Sequence, residues 1–163
     1  MKNLVIFASG SGSNAEKIIA HFQDSTQVQI SHIFCNNPEA GVIARAERLG
    51  VPCSIFSREE YKNGSVLRKI QSLQTDFIIL AGFLWLIPPE FVQAYPNRII
   101  NLHPALLPKF GGKGMYGHFV HEAVVAAGEK ESGITIHYVN EQYDEGAIIF
   151  QSSFPVVPGD TAE

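Results

Sequence analysis

Through its first hundred residues the chain alternates apolar runs of strand length with segments of helical pattern. A run at 3–8 precedes a helix from residue 14, 28–35 a helix from 40, 52–56 a helix from 58, and 76–81 a short helix from 88; another run follows at 98–102. The runs are apolar along their length rather than on alternate residues, which requires both faces of each strand to be covered. Strands and helices in this strict order make a parallel sheet, and right-handed crossovers then leave a doubly wound α/β topology with helices on both faces. A loop at 109–117 leads to a helix over 119–127 and to two more strand-like runs, 133–139 and 147–157. The short connection 140–146 cannot hold the crossover that parallel neighbours need. The expected architecture is therefore a mainly parallel seven-stranded sheet in which 133–139 and 147–157 run antiparallel to each other, leaving one antiparallel strand. Ligands of such sheets gather beyond the carboxyl ends of the strands.

Composition narrows what the ligands can be. The chain has 163 residues, 45% hydrophobic and 17% charged, enough for one continuous core and cramped for two. Twelve basic residues face sixteen acidic ones, a net charge of −4, and no Lys/Arg-rich run is present. Nucleic acid and anionic membrane surfaces are therefore poor partners, and small molecules are better ones. No apolar stretch approaches the roughly 20 residues that cross a bilayer. Cys35 and Cys53 lie in separate strand-like runs without a CxxC spacing, so reduced thiols and a cytoplasmic setting are expected. Residues 158–163 read as a turn and an N-cap ready to begin another helix.

Four stretches carry groups suited to chemistry. Ala8-Ser9-Gly10-Ser11-Gly12-Ser13-Asn14 joins the first strand to the first helix, where helix-terminal amides and the helix dipole favour an anion. It lacks the third glycine of a dinucleotide fingerprint and the lysine of a P-loop, so phosphate binding competes with a plain capped turn. In Asn101-Leu102-His103-Pro104, alternation aims the amide and the imidazole to the same side, about 7 Å apart along the strand. Asp144, in Tyr143-Asp144-Glu145-Gly146, is either a turn-capping carboxylate or the partner that a catalytic imidazole needs. An amide, an imidazole and a carboxylate at strand ends can hold a carbonyl oxygen as it becomes an oxyanion and move protons around it. The connection Gly82-Phe83-Leu84-Trp85-Leu86-Ile87-Pro88-Pro89 is apolar enough to be a core loop or a wall for a flat heteroaromatic ring. His118, His121 and Glu122 lack the His-Glu-x-x-His order and a third ligand, and no metal site is expected. His137 is a packed core histidine or a supporting group, and His21 and His32 look peripheral.

Taken together, Ser9 to Asn14, Leu80-Ala81-Gly82-Phe83, Asn101 to Pro108, and Gly133-Ile134-Thr135-Ile136-His137-Tyr138-Val139 through Asp144-Glu145-Gly146 resemble the phosphoribosylglycinamide formyltransferase family. The resemblance spans the whole chain and implies a formyltransferase fold forming one domain over 1–163, with the family's C-terminal helical segment lying outside it. It implies transfer of formyl from 10-formyltetrahydrofolate to the amine of glycinamide ribonucleotide in purine synthesis, without metal. Asn101 and protonated His103 would stabilise the tetrahedral oxyanion while Asp144 supports His103 and relays protons. Ser11, Gly12, Ser13 and Asn14 would hold the ribonucleotide phosphate, with His121 favoured over His118 as the substrate-side histidine. Arg58, Leu84, Trp85, Leu86, Ile87, Asn140, Glu141 and Asp144 would contact the folate. Trp85 stands where many relatives carry an arginine, and the 109–118 loop is a few residues longer than usual. Methionyl-tRNA formyltransferase would need a basic extension, and a deformylase would carry His-His rather than His103-Pro104. A non-catalytic nucleotide-binding module would not need the Asn101, His103 and Asp144 set. The family's tight Pro-bounded loop implies a cis Leu107–Pro108 bond, and oligomeric state is left open.

Overall fold

Every residue of β1 (Lys2–Ala8) after the first is buried, and its side chains divide between two cores. The computed structural model, which describes residues 1–163, places β1 third from one edge of a single seven-stranded sheet. Val5 and Phe7 point to one face, where they meet α3 (Arg58–Lys62), α4 (Ser65–Ser72) and α5 (Pro89–Ala94) through Tyr61, Val66, Ile70 and Phe91. Ile6 and Ala8 point to the other, against Ala15 and Ile19 of α1 (Ser13–Phe22) and Val42 and Ala46 of α2 (Val42–Leu49). This two-sided burial is the physical counterpart of a strand apolar at every position. Phe7 lies 5.2 Å from the Phe34 ring and 5.1 Å from Phe83, so truncating it to alanine costs about 3–5 kcal/mol.

The remaining strands are β2 (Val28–Cys35), β3 (Cys53–Ile55), β4 (Phe77–Leu80), β5 (Ile99–His103), β6 (Glu131–Tyr138) and β7 (Ile148–Pro155). Their order is β3-β2-β1-β4-β5-β6-β7. Pairs from β3 to β5 are parallel, and β6 runs antiparallel to both β5 and β7. The doubly wound sheet with a single antiparallel strand is thus as the spacing predicts. Because the chain winds outward from β1 in one direction and from β4 in the other, the sheet opens a crevice between them, at the strands' carboxyl ends.

Local differences from the sequence reading have identifiable causes. The helix expected from residue 58 is two helices: a capping box, with Ser57 and Glu60 each bonding the other's backbone, starts α3, and Asn63-Gly64 ends it. The helix expected from residue 40 begins at Val42, since residues 37–40 form a turn in which the Ala40 amide bonds the Asn37 carbonyl. His32 is buried rather than peripheral, with Nε2 2.7 Å from Ser54 Oγ; burial and then the nearby Lys69 charge hold its pKa below the usual range. Cys35 is buried and free, Cys53 is half-buried and free, and burial pushes the Cys53 thiol up to about 11. No helix is long and apolar enough to cross a membrane.

Candidate active site

Asn101 and His103 lie on β5, and the period-2 alternation that was read from the sequence turns both toward a cleft of about 690 Å³ at the sheet's carboxyl edge. The backbone beyond them is fixed by Thr135, whose fully buried hydroxyl donates to the Ala105 carbonyl (2.6 Å) and accepts the Leu107 amide (3.0 Å). Gln151 of β7 donates to the Leu107 carbonyl (2.9 Å) and to the same hydroxyl (3.0 Å). The turn these bonds hold contains a cis Leu107–Pro108 bond, as the resemblance implies.

Asp144 reaches the same place from the β6–β7 connection. It sits in the left-handed region, φ 55°, which an Asp side chain tolerates better than most. Its Oδ1 lies 3.3 Å from Asn101 Nδ2, 3.5 Å from His103 Nδ1 and 3.5 Å from His137 Nε2, while Oδ2 accepts the Gly112 amide at 3.0 Å. Burial alone raises the Asp144 pKa; the groups that outweigh it include the charge of His103 and the Gly112 amide, and the carboxyl is held below its usual range. Oδ1 therefore marks a point on which the Asn101 amide and His103 Nδ1 converge, the position from which a carbonyl oxygen gaining negative charge collects hydrogen bonds.

The histidines have distinct orientations. His103, buried, has Nε2 2.7 Å from the Phe110 carbonyl, so the proton belongs on Nε2, and a second proton on Nδ1 meets Asp144. His137, also buried, has Nδ1 2.9 Å from the Tyr138 carbonyl and Nε2 3.0 Å from Asn101 Nδ2. With its proton on Nδ1, the ring accepts from the Asn101 amide and fixes that amide with its NH₂ group toward Asp144. The 3.5 Å approach of His137 to Asp144 becomes a hydrogen bond only when the ring carries both protons. Of the two sequence readings of His137, the supporting one fits.

At one end of the cleft, Gly10 and Asn14 form part of the wall, whereas Ser11, Gly12 and Ser13 do not line it. Gly12, φ 77°, precedes α1, and a Cβ there would lie 2.5 Å from Val42 Cγ2, so this turn admits only glycine. The loop is tied down from behind: the Gly10 carbonyl accepts the Val42 amide, and Arg45 Nε donates to the Ser11 carbonyl at 2.8 Å. No side chain caps α1, so its first-turn amides are available to an anion.

At the other end, Leu84, Trp85, Leu86 and Ile87 line the cleft, as does Asn140; Arg58 and Glu141 do not. Ile87 is 2% exposed and belongs largely to the core, whereas Leu84 and Leu86 are over 40% exposed and present an apolar surface. The Arg58 guanidinium lies 4.1 Å over the Trp85 ring, a relation between positions 27 apart that sequence spacing does not signal. His121 lines the cleft; His118 faces solvent and pairs with Glu122 (2.9 Å). No group of three or more His, Cys, Asp or Glu side chains gathers as metal ligands. The sequence reading did not single out Gly112, Thr135 or Gln151, whose roles depend on contacts between distant loops.

A family model described as formyl transferase matches residues 2–163. Among curated relatives, a chloroplastic phosphoribosylglycinamide formyltransferase of Arabidopsis thaliana is 45% identical over 172 residues, covering 99% of this chain and 58% of that protein. The phosphoribosylglycinamide formyltransferase of Haemophilus influenzae is 34% identical over 169 residues, covering the whole chain and 77% of the relative. The chain thus spans little more than half of the plant relatives it matches. Among solved structures, glycinamide ribonucleotide transformylase 1 from Symbiobacterium toebii superposes with a TM-score of 0.90 at 30% identity, over 99% of this chain and 77% of that one. The Geobacillus kaustophilus protein of the same name gives 0.88 at 39% identity, over 99% of this chain and 87% of that one.

Proposed function

The chain belongs to the formyl transferase family, and from that premise we propose that it transfers the formyl group of 10-formyltetrahydrofolate to the amine of glycinamide ribonucleotide. The observation that carries this reading is the convergence of the Asn101 amide and the His103 imidazole on one oxygen of Asp144 at the cleft, with His137 holding the amide in place. In the complex the formyl oxygen takes over the hydrogen bonds that Oδ1 now attracts. The substrate amine attacks the formyl carbon, a C–N bond forms, and an electron pair moves onto that oxygen, where the Asn101 amide and the His103 imidazolium stabilise it. Asp144 accepts the proton that the amine loses, and a proton returns to the folate nitrogen as its bond to carbon breaks.

In this reading the amides of Ser11 to Asn14 hold the ribonucleotide phosphate, and His121 faces the same substrate. Leu84 to Ile87 and the loop from Asn140 and Glu141 to Asp144 enclose the pterin, with Arg58 toward the carboxylate tail. Residues 1–163 act as one formyltransferase domain on small molecules, and the two free thiols suit a cytoplasmic setting. Purified protein given 10-formyltetrahydrofolate with glycinamide ribonucleotide, with a formylatable tRNA, or with water alone tests the proposal. Formyl appearing on the ribonucleotide is expected. Formyl on tRNA or free formate, without ribonucleotide product, overturns it.

A further inference from the structure

Lys113 is the only lysine or arginine among the residues that line the cleft, and Asp144 is the only carboxylate there. Asp144 is already occupied by its nitrogen partners and by Gly112, whereas Lys113 is exposed and engages no hydrogen bond or ion pair. Lys109, four residues earlier, is by contrast tied to Glu129 at 3.1 Å. Lys113 lies between Gly112 (φ 95°) and Gly114 (φ 83°), on a strap that runs from Phe110 to the start of α6 (His118–Ala126). The strap touches the reacting centre at two points: the Phe110 carbonyl on His103 Nε2 and the Gly112 amide on Asp144 Oδ2.

Resting on the formyl-transfer reading, we infer that Lys113 is a binding residue for the phosphate monoester of the acceptor. The two ligands in that reading are both anionic, and they enter a chain of net charge −4, so an unpaired cation on the cleft wall raises the local concentration of whichever it faces. In the same reading the donor's carboxylates are assigned to Arg58, which lies over Trp85 at the aromatic end and outside the cleft lining. Lys113 lines the cleft together with His121, the histidine that faces the acceptor in the formyl-transfer reading. A lysine on a mobile stem acts as a point charge that follows a phosphate, complementing the directional amides at the start of α1.

The test compares wild type, Lys113→Ala and Lys113→Arg by steady-state kinetics in both substrates, at low and at physiological salt, with calorimetric binding of the ribonucleotide alone. For Lys113→Ala the expected result is a rise of about tenfold in KM and Kd for the ribonucleotide, as for loss of one exposed charge-assisted contact, with kcat lowered less than threefold. The salt dependence of kcat/KM flattens, and Lys113→Arg restores most of both. An equal rise in KM for the folate, a loss confined to kcat, or an unchanged KM would each overturn the assignment. A wild-type protein that formylates none of the ribonucleotide would instead overturn the underlying reading.

Discussion

The two halves of the reacting centre are built differently. Asn101 and His103 stand on β5, paired to β4 on one side and to β6 on the other, and His137 stands opposite Asn101 on β6. Asp144 and the strap at 110–117 belong to two loops that hold each other through the Gly112 amide rather than through the sheet. The strand-borne half presents nitrogens in positions that the core fixes; the loop-borne half brings the carboxylate and the cation. Preorganised donors lower a barrier because they need not reorganise as charge develops, whereas a carboxylate that occupies their focus must yield to the substrate oxygen. Strand substitutions should therefore affect turnover alone, and substitutions of the loop-borne groups should reach affinity as well.

The largest expected effect is at the strand-borne half. Asn101→Ala removes a donor at the point of convergence, and kcat should fall about 10²–10³-fold with both KM values within about threefold. Asp144→Asn should lower kcat about 10²-fold, since the amide oxygen can still accept from Gly112 but no longer takes a proton. It should also raise KM for at least one substrate, because the bond between the two loops weakens. Steady-state kinetics in each substrate separate the cases. Equal effects on KM at both positions would erase the distinction between the halves.

Two glycines make the same comparison in stability. A Cβ at Gly133 of β6 would lie 2.0 Å from the Ser152 carbonyl oxygen of β7, a backbone atom in the ladder, so Gly133→Ala should cost roughly 3 kcal/mol or more in urea unfolding. A Cβ at Gly111 meets Leu107 Cδ2 at 2.5 Å and Asp144 Cβ at 3.3 Å, a flexible side-chain end and a loop residue. Gly111→Ala should cost under about 1.5 kcal/mol yet reduce kcat about tenfold through displacement of Asp144. A Gly111→Ala protein with wild-type turnover would mean that the strap does not position the carboxylate.

The same division explains what the sequence discloses. β1 from Leu4 and all of β4 are legible because they are apolar along their length, β2 and β5 from their place in the strand–helix alternation, and Asn101 and His103 because alternation alone fixes their shared direction. Asp144 is legible as a turn residue, but its meeting with Asn101 joins positions 43 apart through sheet closure, which no local pattern encodes. His137 looks the same in a strand pattern whether it packs inertly or accepts from Asn101; only the cross-strand register decides. The break between α3 and α4 follows from Asn63-Gly64 within an otherwise continuous helical pattern. The strap's grip on His103 depends on a backbone carbonyl, that of Phe110, which any residue would supply.

The smallest effect concerns the charge of Asp144. Two influences oppose each other there: burial, which favours the neutral acid, and neighbours including the His103 charge and the Gly112 amide, which favour the anion and prevail. A carboxyl whose folded pKa lies below its unfolded value of about 3.9 adds stability that is fully present above that value and is lost as pH falls through the folded pKa. The stability difference between wild type and Asp144→Asn, measured by urea unfolding, should therefore stay level from pH 7 down to about 4.5 and shrink only below about 3.9. Were burial to prevail instead, the sign would reverse: protonation would favour the folded state, and wild type would gain on the variant as pH falls from 7 toward 5. That outcome would mean that the loop-borne carboxylate does not gain enough from the strand-borne nitrogens to stay charged, and the convergence at Oδ1 would lose its electrostatic basis.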